Sequence, residues 1–205
     1  MIDVKPPRDL RDEFDPNPDP KVIIMIVGMP GAGKTTAAGY LARAGIRLFP
    51  VNEIIKDEIH RRGLTPGFES QLRVIEDIRK ERGPAALAAM LEPRITAIDD
   101  NIIALDGLKS PEEIAYLEPN GQIFVLAIHA SPATRLARLR ARGYRDDPKT
   151  LEDLEKRDLA ELQLGLGDVV ARADGMIVNE HITKGELGAL VIEFAHEWFS
   201  VGSLA

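Results

Sequence analysis

The nine residues from Gly28 to Thr36 read G-M-P-G-A-G-K-T-T. They satisfy G-x-x-x-x-G-K-[ST], a turn whose main-chain amides wrap a phosphate group, the P-loop. Gly28, Gly31 and Gly33 allow close backbone approach, and Met29, Pro30 and Ala32 complete the turn. The start of a following helix adds a field that favours anions. Lys34 is expected to reach the terminal phosphates of a nucleotide. The Thr35 hydroxyl, with Thr36 beside it, is expected to meet Mg2+. The chemistry offered is capture and charge neutralisation of a polyphosphate such as ATP.

Such a turn needs a strand before it and a helix after it. Val22 to Val27 is a continuous apolar run, as in a parallel strand covered on both faces, and a helix is expected from Thr35 to Arg43. Further strands are expected at Ile46 to Val51, Asn101 to Leu105, Ile123 to Ile128 and Gly175 to Val178. Helices are expected at Glu53 to Arg61, Ser70 to Arg82, Pro84 to Leu91 and Pro132 to Ala141, with another starting at Pro111. Leu151, Leu154, Leu159 and Leu162 mark an amphipathic helix. Leu187, Leu190, Val191, Phe194 and Trp198 mark the apolar face of a terminal one. This alternation predicts a three-layer α/β domain on a parallel sheet, spanning 21–200. Pro6, Pro7, Pro16, Pro18 and Pro20 oppose regular hydrogen bonding, so residues 1–20 are expected to form a flexible extension.

The chain has 205 residues, 44% of them hydrophobic, which suits one domain with a sizeable core. It has no cysteine, which excludes disulfides, thiolate catalysis and thiolate zinc sites and fits a cytoplasmic setting. His60, His129, His181 and His196 have no compact metal-ligand spacing. No apolar stretch reaches the roughly 18 residues needed to cross a membrane. A formal net charge of -7 argues against extensive nucleic-acid binding. It still leaves room for a local cationic site, and basic residues are dense from Arg135 to Arg145. An N-K-x-D stretch that would read guanine is absent.

Two further segments add to the glycine-rich turn. Leu105 to Ser110 reads L-D-G-L-K-S, and Ile128 to Arg145 reads I-H-A-S-P-A-T-R-L-A-R-L-R-A-R-G-Y-R. D-D-P-K-T, E-K-R-D and I-V-N-E follow. Together these motifs resemble an uncharacterised archaeal P-loop kinase-like family that is similar to adenylate kinase and dephospho-coenzyme A kinase. The resemblance runs from Lys21 to Trp198. It implies a P-loop NTPase fold of the nucleotide-kinase type, with a small helical lid at 138–158. Asp106, at the end of a buried strand, would bind Mg2+ or orient the acceptor. Arg142 and Arg145, with Arg138 and Arg157, would bring guanidinium groups onto the transferred phosphoryl group. Asn179 would lie near the nucleotide base. Glu53 and Lys56 stand where the family has an acid followed three residues later by arginine, a place that holds the acceptor. Arg79 would be a second acceptor-binding cation, and Lys109 falls in an Asp-Gly-x-Arg-like pattern.

The expected reaction is magnesium-dependent transfer of the ATP terminal phosphoryl group to a small acceptor. A nucleoside monophosphate or dephospho-coenzyme A would suit. An ATP-binding regulatory or RNA-associated module with weak ATPase activity, working with a protein partner, stays open. So does the oligomeric state.

Overall fold

The computed structural model describes residues 21–202. The expected extension at 1–20 lies outside these residues, and so does the side chain of Trp198. Five strands alternate with helices: β1 (Val22–Val27), β2 (Arg47–Pro50), β3 (Ile102–Asp106), β4 (Gln122–His129) and β5 (Gly175–Val178). They pair in parallel in the order β2-β3-β1-β4-β5. All six residues of β1 are buried, as its uninterrupted apolar sequence requires at the centre of a two-sided sheet.

Helices cover both faces. One layer holds α2 (Val51–Arg61), α3 (Phe68–Arg82), α4 (Ala86–Thr96) and α8 (Leu166–Ala171), packed with Met25, Ile103 and Leu105. The other holds α1 (Lys34–Arg43) and α9 (Lys184–Gly202), packed with Ile24, Ile26 and Leu126. The remaining helices are α5 (Pro111–Leu117), α6 (Pro132–Arg142) and α7 (Leu151–Gln163). β1 and β3 run in register, so Ile26 lies opposite Asp106 and the P-loop turn leaves the sheet beside that carboxylate.

The expected elements all form, with four differences. α4 runs on through Pro93 to Thr96 rather than stopping near Leu91. Ile95 is fully buried, and Lys21 Nζ donates to the carbonyls of Ile95 and Ile98, both at 3.0 Å, which holds the extra turn. The short α8 was not expected. In α7 the leucine stripe does not face the core. Leu154 is buried, but Leu151, Leu159 and Leu162 are exposed. The inward positions are Arg157, Asp158 and Glu161, because this side of the helix meets a polar cavity. Leu190, expected on the apolar face of α9, is also exposed.

Two local features set how the site is held. Gly28 has φ +142°, and a Cβ there would lie 2.2 Å from the carbonyl oxygen of Ile128. The turn therefore fits against β4 only with glycine at this place. On the opposite layer, Arg79 Nη2 donates to Glu113 Oε1 at 2.8 Å and Nη1 donates to the Leu164 carbonyl at 2.8 Å. Glu113 is wholly buried and also accepts from the main chain of Lys109 and Ser110. This network joins α3, the β3–α5 loop and the α7–α8 corner.

Gly28→Ala is expected to destabilise the protein by about 3 kcal/mol, through combined overlap and backbone strain. Gly39, inside α1, provides the contrast, because a Cβ added there would meet nothing within 4 Å. Gly39→Ala should stabilise by about 0.5–1 kcal/mol. Arg79→Met, which strands the Glu113 carboxylate, should cost about 3–5 kcal/mol, and adding Glu113→Gln should recover part of that loss. Urea unfolding of the four variants checks all of these.

Candidate functional site

The carboxyl ends of β1 and β3, the P-loop turn, α6, α7 and the start of α9 enclose a cavity of about 600 Å³. A crevice outside the strand ends is where the topology of an open parallel sheet places a ligand, because the connections from the adjacent strands β1 and β3 leave toward opposite sides. Gly28, Pro30, Gly31, Gly33, Lys34, Thr35 and Thr36 line it from below. Met29 instead packs toward the core, and Ala32 is buried.

The turn is held from behind. A Cβ on Gly31 would lie 2.9 Å from the Arg135 carbonyl oxygen, and one on Gly33 would lie 2.4 Å from Asn179 Nδ2. Asn179 Nδ2 donates to the Ala32 carbonyl at 2.7 Å, and Arg138 donates to the carbonyls of Ala32 (3.2 Å) and Asn179 (2.9 Å). Arg135, buried in α6, donates to the Pro30 carbonyl at 3.2 Å and forks onto Asp158 of α7 at 2.8 and 2.6 Å. The phosphate-cradling backbone is thus fixed by β4, α6, α7 and the β5–α9 loop together.

Lys34 Nζ curls onto the turn and donates to the carbonyls of Gly28 (2.7 Å) and Met29 (3.2 Å). The residue is partly open to the cavity, yet enclosure of its ammonium lowers its pKa, against the opposing pull of Asp106 and Glu161. Asp106 shows the mirror image. Burial raises its pKa, and Lys34 and Lys109 oppose the rise. Its Oδ1 is buried and has no hydrogen-bond partner among the described residues. An orphaned carboxylate oxygen lining the same cavity as Thr35 and the P-loop turn fits Mg2+. That ion takes one or two protein oxygens and fills the rest of its shell with phosphate and water. No cluster of three or more His, Cys, Asp or Glu side chains that could hold a metal exists among the described residues, so the fit is to a phosphate-bound ion and not to an all-protein cage.

The cationic wall comes from α6 and α7. Arg142 and Arg157 line the cavity beside Arg138, whereas Arg145 is exposed and does not line it. Arg142 forks onto Asp147, with Nε at 2.9 Å from Oδ2, and its guanidinium lies 4.6 Å from the Tyr144 ring. Arg157 lies over Phe68 at 4.6 Å and 3.6 Å from Asp147, too far for a hydrogen bond. Its Nε and Nη1 have no hydrogen-bond partner among the described residues, and burial lowers its pKa.

The acceptor side departs furthest from expectation. Glu53 and Lys56 are exposed on α2 and do not line the cavity. Arg79 is engaged in the Glu113 network. Lys109 does line the cavity, and its Nζ lies 2.7 Å from Glu161 Oε2. Asn52, Gln71 and Glu161 line the same side, and sequence reasoning missed them. The spacing of Arg157 and Glu161, four residues apart and so on one helix face, was the available signal.

A family model described as an AAA domain matches residues 24–162. Over 160 residues the chain is 39% identical to a UPF0200 protein of Hyperthermus butylicus, covering 78% of this chain and 86% of that one. It is also 39% identical over 164 residues to a UPF0200 protein of Pyrococcus abyssi, covering 78% and 88%. Among solved structures, the fold is similar to TT1252 from Thermus thermophilus, with TM-score 0.59 and 16% identity over 86% of this chain and 97% of that one. It is similar also to shikimate kinase from Aquifex aeolicus, with TM-score 0.52 and 19% identity over 88% and 99%. The fold is therefore a three-layer α/β P-loop fold of the kinase type. With its cradle, its parallel sheet and these likenesses, the chain belongs to the UPF0200 family of archaeal P-loop proteins.

Proposed function

We propose that this protein transfers the terminal phosphoryl group of ATP, with Mg2+, to a small-molecule acceptor in the cytoplasm. The observation that carries this reading is the convergence of Lys34, the orphaned Asp106 carboxylate and the Arg157 guanidinium, whose Nε and Nη1 make no hydrogen bond to the described residues, on one cavity beside the P-loop turn. Such a constellation neutralises a triphosphate while leaving room for a second molecule in line with it. Thr35 and Asp106 would hold Mg2+, and the ion would offset phosphate charge. The turn amides and Lys34 would hold the β- and γ-phosphates. Arg138, packed on Asn179 above Ala32, would border the base-proximal side. Within the expected lid at 138–158, the part from Arg142 to Thr150 would move, carrying Arg142 toward the transferred group beside a fixed Arg157 and excluding water as a competing acceptor. Arg145, exposed in that segment, would reach the group only after closure. Glu53 and Lys56 would likewise need movement of α2 to touch an acceptor.

Lys34→Ala should remain folded and lose ATP affinity by about 100-fold, since it removes a charge-assisted contact from an enclosed site. Titration calorimetry with Mg-ATP measures this, and equal affinity in both proteins would remove the assigned phosphate role. Wild-type protein should release ADP faster when the right acceptor is present, and chelation of Mg2+ should abolish that release. A Mg-ATP screen of nucleotide and coenzyme precursors, with product identified by mass spectrometry, tests the transfer. ATP turnover insensitive to every acceptor would favour a regulatory nucleotide-binding role.

A further inference from the structure

Resting on the phosphoryl-transfer reading, we propose that Glu161 faces the acceptor and that the acceptor presents a hydroxyl group, not a phosphate, to the transfer point. α7 places Arg157 and Glu161 one helical turn apart, and both line the cavity. Arg157 offers unpaired guanidinium donors, which suit phosphate. Glu161 offers the opposite charge. It is 6% exposed, its Oε2 lies 2.7 Å from Lys109 Nζ, and its charge acts on Lys34 together with that of Asp106. The wall next to the P-loop therefore carries two carboxylates.

Asp106 sits at the end of β3, lines the cavity with Thr35, and would be accounted for by the proposed metal. Glu161 is not. It projects from α7 into the cavity that Asn52 of α2 and Gln71 of α3 also line. Two amides and a carboxylate paired with lysine form a hydrogen-bonding surface for a hydroxyl compound. A carboxylate in that position repels an incoming phosphate dianion, because like charges in a poorly solvated site are costly. In the transfer step the acceptor oxygen bonds the terminal phosphorus as its proton passes to the Glu161 carboxylate. The bond from that phosphorus to the bridging oxygen breaks, and ADP leaves with the electron pair. Lys109 restrains the Glu161 side chain from the β3–α5 loop, and Arg157, one turn earlier, meets the phosphoryl oxygens.

The test uses adenosine 5′-tetraphosphate, whose fourth phosphate extends past the terminal position of ATP into the acceptor side. Its affinity and that of ATP are measured by calorimetry with Mg2+ for wild type, Glu161→Gln, Glu161→Asp and Lys109→Met, after melting curves establish that each is folded. Wild type should bind the tetraphosphate no more tightly than ATP. Glu161→Gln should bind it about tenfold more tightly than wild type does, while ATP affinity changes by less than about threefold. Glu161→Asp, which keeps the charge, should show no such gain, and Lys109→Met should weaken tetraphosphate binding. A tetraphosphate affinity unchanged by Glu161→Gln, or one in wild type about 100-fold above that for ATP, would overturn the inference. Failure of every protein to bind ATP would instead overturn the phosphoryl-transfer reading beneath it.

Discussion

The ammonium of Lys34 closes the P-loop turn from within, and the site is organised around that contact. By donating to the Gly28 and Met29 carbonyls it turns a strand end into a ring, with the main-chain amides left to face the cavity. Enclosure costs the cation hydration, and the lowered pKa of Lys34 expresses that cost. Asp106 bears the complementary cost, its pKa raised by burial at the end of the neighbouring strand. Each charge is tolerable because the other is near, yet neither satisfies the other completely: Asp106 Oδ1 stays without a hydrogen-bond partner among the described residues. A polyphosphate with a divalent cation supplies the two missing charges at once, an anion for the lysine and a cation for the carboxylate. Such an arrangement suits the proposed pairing of a polyphosphate with a divalent cation better than a lone anion.

The sheet explains why these two groups meet. β1 and β3 are adjacent and parallel, so their carboxyl ends open on the same side, with Ile26 and Asp106 in register. The crossovers through α1 to β2 and through α5 to β4 depart to opposite sides and leave the crevice clear. Glycine then becomes compulsory for a reason the phosphate alone does not provide. The turn is pressed against β4 at Gly28, against α6 at Gly31 and against Asn179 at Gly33. Backbone packing behind the loop excludes side chains there before any ligand arrives.

Much of this was legible in the sequence, because the relevant signals are local. Six consecutive apolar residues before Gly28 gave a buried parallel strand, and the spacing of glycine, lysine and threonine gave the turn. The acceptor side was less legible, because it is assembled from α2, α3, α7 and the β3–α5 loop, which only the tertiary structure brings together. The family resemblance pointed to Glu53 and Lys56 on α2, while the neighbouring Asn52, outside that acid-and-cation pattern, is the residue that lines the cavity. Arg79 carried a cation at an acceptor-like position, but the sequence could not show that a buried Glu113 engages it. In α7 the usual rule that leucines face inward failed for a physical reason. The inward face meets a charged cavity and the Arg135 guanidinium, so Arg157, Asp158 and Glu161 turn inward and three leucines remain outside.

That inversion also limits how the segment above the cavity can move. α7 is tied at mid-length by Asp158 to Arg135, and Arg135 in turn holds the Pro30 carbonyl of the P-loop turn. Near its carboxyl end, α7 is tied by Glu161 to Lys109, and the corner beyond it is tied by the Leu164 carbonyl to Arg79. A buried fork between guanidinium and carboxylate is costly to break, since each charge would be left unpaired out of water. The second helix of the proposed lid is therefore part of the scaffold. Gly143, in the left-handed region at φ +73°, ends α6, and the stretch from there to the Thr150 cap of α7 is held at its middle through Asp147 and at its far end by Arg140 donating to the Lys149 carbonyl. Asp147 is where Arg142 is restrained and where Arg157 comes close. Closure over a bound triphosphate would then consist of Arg142 exchanging its Asp147 partner for phosphate oxygens, with the 143–150 turn following. The body of α7, and Arg157 and Glu161 on it, would stay fixed in place.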